Sequence, residues 1–173
     1  MASSRGNPDM GDVLRSVAVL VVAVLALFGI GQFLSSTPDQ PARSVDWKPA
    51  AQSASRGADY PIMAPASLPA GWRATSARYT RETSRWVLGV LTDKDDYLGI
   101  EQTTESVRSV LDRVAEGSEP AGSAKVRDRV WAVNAGPNDK ITYSSRVDGI
   151  STVITGTVDQ SDLEAYIASL KEK

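Results

Sequence analysis

Arg127, Arg129 and Trp131 stand at every second position of the stretch 126–134, VRDRVWAVN. Alternate residues of an extended strand share a face, so this spacing predicts two guanidinium groups beside an indole on one surface. A guanidinium stacks on aromatic rings and pairs with carboxylate or phosphate, so such a surface suits the binding of a partner. A sheet edge braced by cation–π contacts accounts for the same residues without a ligand, and the sequence leaves both readings open. These three are the candidate partner-binding residues.

No other constellation points to chemistry. The chain has no His and no Cys. That removes the Ser-His-Asp triad, the cysteine nucleophile, the usual zinc sites and any disulfide framework. Asp93-Lys94-Asp95-Asp96 begins like a calcium loop, but Tyr97 and Leu98 stand where that loop needs a ligand and a glycine, so a solvated turn is expected. Asp95 with Asp96, or Glu101 with Glu105, are carboxylate pairs without a supporting motif. Phosphate-binding, dinucleotide-binding and nucleophile-elbow motifs are missing. No cofactor, no metal site and no catalytic residue is expected, and a non-enzyme is the favoured reading.

Charge adds a further exclusion. The chain's 19 basic and 21 acidic residues are interspersed and give a net charge of −2. A nucleic-acid partner would need a basic patch or stripe, and the sequence carries none.

The elements that would position the candidate residues follow from hydrophobic patterning. Residues 17–34, VAVLVVAVLALFGIGQFL, are apolar apart from Gln32. Extended upstream to 13, the run reaches the ~20 residues that a membrane-crossing helix needs. A single transmembrane helix over 13–34 is therefore expected, behind a cytoplasmic tail at 1–12. Arg5 and Arg15 on its short side favour the N-terminus inside under the positive-inside rule. The remainder then lies outside the plasma membrane. Residues 35–60, rich in Pro and Ser, are expected to be a linker. Trp47 is the one residue there that a plain spacer would not need.

From 61 the pattern becomes globular. Strands are expected over 72–81, 85–92 and 97–103, the last two as a hairpin. Val107, Val110, Leu111 and Val114 form one apolar helical stripe, with Thr103 or Thr104 as its cap. Strands follow over 126–134, 141–147 and 151–158, with Asp148-Gly149 as a two-residue hairpin turn. Leu163, Tyr166, Ile167 and Leu170 repeat the helical stripe, with Ser161 and Glu164 as a capping box. The expected class is thus α+β: an antiparallel sheet with two packed helices in βββα-βββα order over 61–173, preceded by the transmembrane helix.

The segments RSVAVLVV at 15–22, Pro69-Ala70-Gly71-Trp72, Arg85-Trp86-Val87 and VITGTVDQSDLEAYIASL at 153–170 carry a resemblance. Through them the chain resembles an actinobacterial family of single-pass membrane proteins built on a domain of unknown function. The resemblance implies membrane location and carries over no functional residue. The Leu68 to Trp72 segment and the closing helix also resemble extracytoplasmic domains of anti-sigma and envelope-regulatory proteins. The short stretch ahead of the anchor holds no sigma-binding domain, so transmembrane signalling is not expected.

The function expected from these features is a membrane-tethered extracytoplasmic module that binds an envelope protein or component without catalysis. A small-molecule or lipid carrier and a carboxylate-based enzyme are the alternatives. Protease added to intact cells is expected to cleave within 35–173. Protection until lysis, with cleavage afterwards, would invert the topology.

Overall fold

The computed structural model describes residues 43–173. Among them the chain is mostly β: a seven-stranded antiparallel sheet, a two-stranded sheet and three helices. This corrects the expected two-helix βββα-βββα layout. No helix among the described residues is long and apolar enough to cross a membrane. The segment 13–34, for which a membrane helix is expected, lies outside the described residues.

The first difference is helix α1, Trp47–Gly57, inside the expected linker. Pro49 reads as a breaker, but it sits in the first turn, where its missing N–H has no intrahelical partner to lose. Asp46 caps the helix by accepting from the Lys48 N–H at 3.2 Å. Trp47, Ala51 and Ala54 recur at i, i+4 and i+7 and are buried against the domain. Trp47 therefore docks on the fold.

Strand β1, Met63–Pro65, follows and pairs with β9, Leu170–Glu172, at the far end of the chain. Three-residue strands that pair over a hundred positions apart leave no local pattern to read. Strands β2 (Arg73–Thr80), β3 (Arg85–Leu91) and β4 (Tyr97–Thr103) form a meander. Gly89 and Gly99 are directly paired, and a Cβ at either would run into the Tyr97 ring or Ser76. Helix α2 is Val107–Val114, capped by Ser106, whose hydroxyl accepts from Ser109 N–H at 3.1 Å, not by Thr103 or Thr104.

The second half holds four strands where three are expected. Residues 126–134 are not one strand. They end β5 (Glu119–Val126), turn at Arg127-Asp128, and begin β6 (Arg129–Ala135). Pro120 and a bulge at Gly122 hide β5 from a periodicity reading. Strands β7 (Ile141–Val147) and β8 (Ile150–Gly156) join through Asp148-Gly149, both at positive φ as a type I′ turn requires. Helix α3, Gln160–Ser169, starts after Asp159 with no side-chain cap. Ser161 thus lies inside the helix and makes no capping box.

The sheet order is β2-β3-β4-β8-β7-β6-β5. One face carries Trp86, Leu88, Ile100, Ile154, Tyr143 and Trp131, which form a single core with α1, α3 and the β1–β9 pair. Helix α2 covers the opposite face over β8 and β7, burying Val110 against the sheet.

That second face also holds a buried carboxylate. Glu101 is 4% exposed. Its two oxygens accept from Arg85 at 2.7 Å and from Arg113 of α2 at 2.5 Å. Arg113 also reaches Glu105 at 3.1 Å. Removing one partner of a buried ion pair leaves uncompensated charge behind. Glu101→Ala leaves Arg85 and Arg113, 27% and 36% exposed, to be solvated by water, so the expected destabilisation is clear but below the ~3–5 kcal/mol of a fully buried broken pair. Arg113→Ala, at a more exposed position, should cost less. Urea unfolding of both variants measures the order.

Candidate functional site

The ladder between β6 and β7 is incomplete. It pairs Ala135 with Ile141 and continues only to Ala132 with Ser144. Beyond that pair, residues 129–131 and 145–147 separate and border an open cleft of about 990 Å³. The cause lies in the connectivity. β5–β6 and β7–β8 are hairpins whose two-residue turns, Arg127-Asp128 and Asp148-Gly149, lie at the same end of the sheet. A two-stranded ribbon twists more than a wide sheet, so neighbouring hairpin tips diverge.

All three candidate residues line this cleft, in different ways. Trp131 and Arg129 share the core-side face, as the alternation predicts. The Arg129 guanidinium lies 5.5 Å from the Trp131 ring centroid, within cation–π range. Arg129 Nη1 also faces Met63 Sδ at 3.7 Å. Trp131 is only 1% exposed, so it is a wall packed into the core and presents no open platform. Its indole N–H has no hydrogen-bond acceptor among the described residues. Arg127 does not share their strand face. It is the first residue of the turn, at φ 54°, and its Nη1 donates to the Leu170 carbonyl at 3.2 Å. Two arginines from one hairpin thus brace it against the small β1–β9 sheet.

The sequence reading missed the other side of the cleft. Arg146 of β7 turns its guanidinium toward the α2 face, donating to the Glu105 carbonyl at 2.5 Å and the Ser151 hydroxyl at 2.6 Å. Val130 and Val147 are 63% and 42% exposed, unusual for β-branched residues inside strands. Leu170 and Lys171 of β9 complete the lining. The charge balance is basic: Arg127, Arg129, Arg146 and Lys171 against Asp128 and Glu172. Among the described residues none of these four cations is paired with a carboxylate. Asp148-Gly149 marked one hairpin tip in the sequence. Its neighbour was hidden because a non-glycine residue, Arg127, adopts positive φ.

A second, smaller hollow of about 270 Å³ adjoins the cleft and shares Met63, Arg129, Val147 and Glu172 with it. Its wall is rigid. Gln102 Oε1 accepts from the Met63 N–H at 2.6 Å, and the Tyr60 hydroxyl donates to the Gln102 carbonyl at 3.0 Å. Burial raises the Tyr60 phenol well above its ordinary value, so it stays a neutral donor. No group of three or more acidic side chains among the described residues gathers to hold a metal ion.

Helix α3 is keyed to β7 behind the cleft. The Tyr143 hydroxyl donates to Glu164 Oε1 at 2.6 Å, and Gln160 Nε2 donates to the Tyr143 hydroxyl at 3.0 Å and to Glu164 at 2.9 Å. The Tyr143 bond, then the Gln160 bond, holds the Glu164 carboxyl below its usual value. Burial and the Glu164 carboxylate push the Tyr143 phenol up to about 12.

The class defined by this fold and cleft is a mostly β, antiparallel domain with helices on both faces and a basic, strand-wide opening. The chain belongs to the DUF4245 family, described as a protein of unknown function, whose model matches residues 5–170. It is also 32% identical over 87 residues to a protein named 2-isopropylmalate synthase from Parafrankia sp. (strain EAN1pec). That stretch is 49% of this chain and only 15% of the relative, so the relative's activity does not transfer. No solved structure matches.

The Tyr143 linkage has a definite sign. A phenol whose folded value lies above the ordinary 10.0 stabilises fully below that pH. Its contribution is lost as pH rises toward about 12. Tyr60 and Tyr166, raised mainly by burial, act in the same direction. Urea midpoints at about pH 9 and about pH 11 should therefore fall less in Tyr143→Phe than in the parent protein. An equal fall in both would remove Tyr143 from the account.

Proposed function

We propose that this protein is a non-catalytic binding module of the cell envelope. On this reading the apolar run 17–34 tethers it to the plasma membrane and the described domain lies outside the cytoplasm. The same reading makes the family one of single-pass membrane proteins of actinobacteria, as the resemblance implies. The observation that carries the proposal is the cleft between β6 and β7. It combines exposed Val130 and Val147 with four basic side chains that meet no carboxylate among the described residues. Exposed apolar area beside basic groups is a common make-up of protein-binding surfaces. Among the described residues the ionisable groups around it do not form an acid–base pair with a shared hydrogen bond, which favours binding over catalysis.

The test uses the full chain in intact membranes, with a photo-crosslinking residue at Val130 or Val147 and a control at Glu82. Glu82 is exposed in the β2–β3 turn, away from the cleft. The same protein adduct from both cleft positions and none from Glu82 is the expected result. Equal labelling at all three positions, or none at the cleft, would sink the proposal.

A further inference from the structure

We infer that the cleft takes an extended, acidic peptide strand from a partner protein, hydrogen-bonded to β6 on one side and β7 on the other. The inference rests on the binding reading and specifies its chemistry. Its basis is the direction of two backbone units. In an antiparallel ladder bonded and non-bonded pairs alternate, and each two-residue turn is flanked by a bonded pair. Val126 with Arg129, and Val147 with Ile150, are those flanking pairs. Arg129 and Trp131 therefore direct their N–H and C=O groups to β5, and Ser145 and Val147 direct theirs to β8. The residues between them, Val130 and Arg146, direct theirs the other way, into the cleft.

In an unbroken ladder Val130 would pair with Arg146, two steps beyond Ala132 with Ser144. That pair is missing. Outside the strand ladders neither residue makes a backbone hydrogen bond among the described residues. Two donors and two acceptors thus face each other across an opening whose walls are already strands. An extended segment entering from the hairpin tips would offer backbone partners to these groups on both walls. The cleft volume of about 990 Å³ falls within the range of ligand-binding clefts.

Charge decides the chemistry of the occupant. Arg127, Arg129, Arg146 and Lys171 outnumber Asp128 and Glu172 around the cleft, and none of the four meets a carboxylate among the described residues. A strand whose acidic side chains lie on the core-side face brings carboxylates toward Arg129 and Lys171 of β9, while the Arg146 guanidinium stays on the α2 face. Its intervening small apolar side chains lie on the other face, beside Val130.

The probe is a capped pentapeptide, Glu-Val-Glu-Val-Glu, titrated into the full chain in detergent while backbone amides are followed by NMR. Saturable shifts at the Val130 and Arg146 amides, with a Kd below about 1 mM and slowed hydrogen exchange at both, are expected for strand insertion. A Lys-Val-Lys-Val-Lys peptide, a backbone N-methylated version of the acidic peptide, and the Lys171→Glu protein should each bind about tenfold more weakly or worse. The N-methylated peptide leaves the protein unaltered, so misfolding cannot produce its result. N-methylated and parent peptides binding equally would overturn strand pairing. So would shifts confined to other residues, or none up to about 5 mM peptide. Protection of both amides that rises with protein concentration alone would also overturn the inference, because the occupant would be a second copy of the chain. Crosslinking at Val130 and Val147 without peptide pairing would leave the binding reading standing and remove only its strand chemistry. Absence of both would remove the two together.

Discussion

Burying a carboxylate costs several kcal/mol unless cations meet it, and the fold places its central acid where two arginines do. Glu101 stands on β4, in the middle of the sheet, and binds Arg85 of β3 and Arg113 of α2. The consequences spread outward. Arg113 grips Glu105, and the Glu105 carbonyl accepts from Arg146 and from the Ser151 hydroxyl. A connected polar path thus runs from the first meander, through the start of α2, to β7 and β8. It fixes α2 on the sheet and turns the Arg146 side chain to the α2 face. The backbone of Arg146 is left to face the cleft. One buried charge therefore links the geometry of the cleft to the packing of the opposite layer.

The two faces divide the work differently. On the core side, apolar contact between Trp86, Leu88, Ile100 and Ile154 and the elements α1, α3 and β1–β9 supplies the hydrophobic stabilisation. On the α2 side, small polar residues such as Thr103, Thr142, Ser144 and Ser151 are buried beneath a short helix. Hydrogen bonds carry more of the specification there: Thr142 with Thr155 at 2.9 Å, and Ser151 with the Glu105 carbonyl at 2.6 Å. Buried polar groups of this kind are costly unless satisfied, so they select one register for β7 on β8.

What the sequence revealed follows the same physics. The hairpin over 85–103 and the Asp148-Gly149 turn were legible because alternation and turn chemistry act locally. Helix α1 was not, because Pro49 and the small polar residues mimic a spacer, while the stripe that buries it is built from Trp47 and two alanines. Strand β5 hid behind Pro120, Gly122 and a bulge, and β1 with β9 are too short and too distant in sequence to announce each other. Arg129 and Trp131 were placed correctly relative to each other because two residues on one strand obey alternation. Arg127 was not, since no propensity rule puts arginine at positive φ in a two-residue turn. The cleft itself was invisible. It is a missing set of contacts between two hairpins, and an absence of pairing has no residue signature.

The treatment of the sheet's unpaired groups favours reading the cleft as a recognition feature. Its two outer edges are managed. β5 carries Pro120, a glycine bulge and Lys125, features that discourage further pairing. At the other edge, Val45 donates to the Ala74 carbonyl at 2.8 Å and α1 packs against β2. The internal gap has neither kind of protection. Val130 and Arg146 expose pairing groups between two well-formed strands, and although β9 borders the core side, no proline or bulge among the described residues blocks pairing there. A sheet that blunts its outer edges yet leaves an inner pair open confines strand addition to one place. There, the basic side chains around the opening add a requirement on charge that an unguarded edge could not impose.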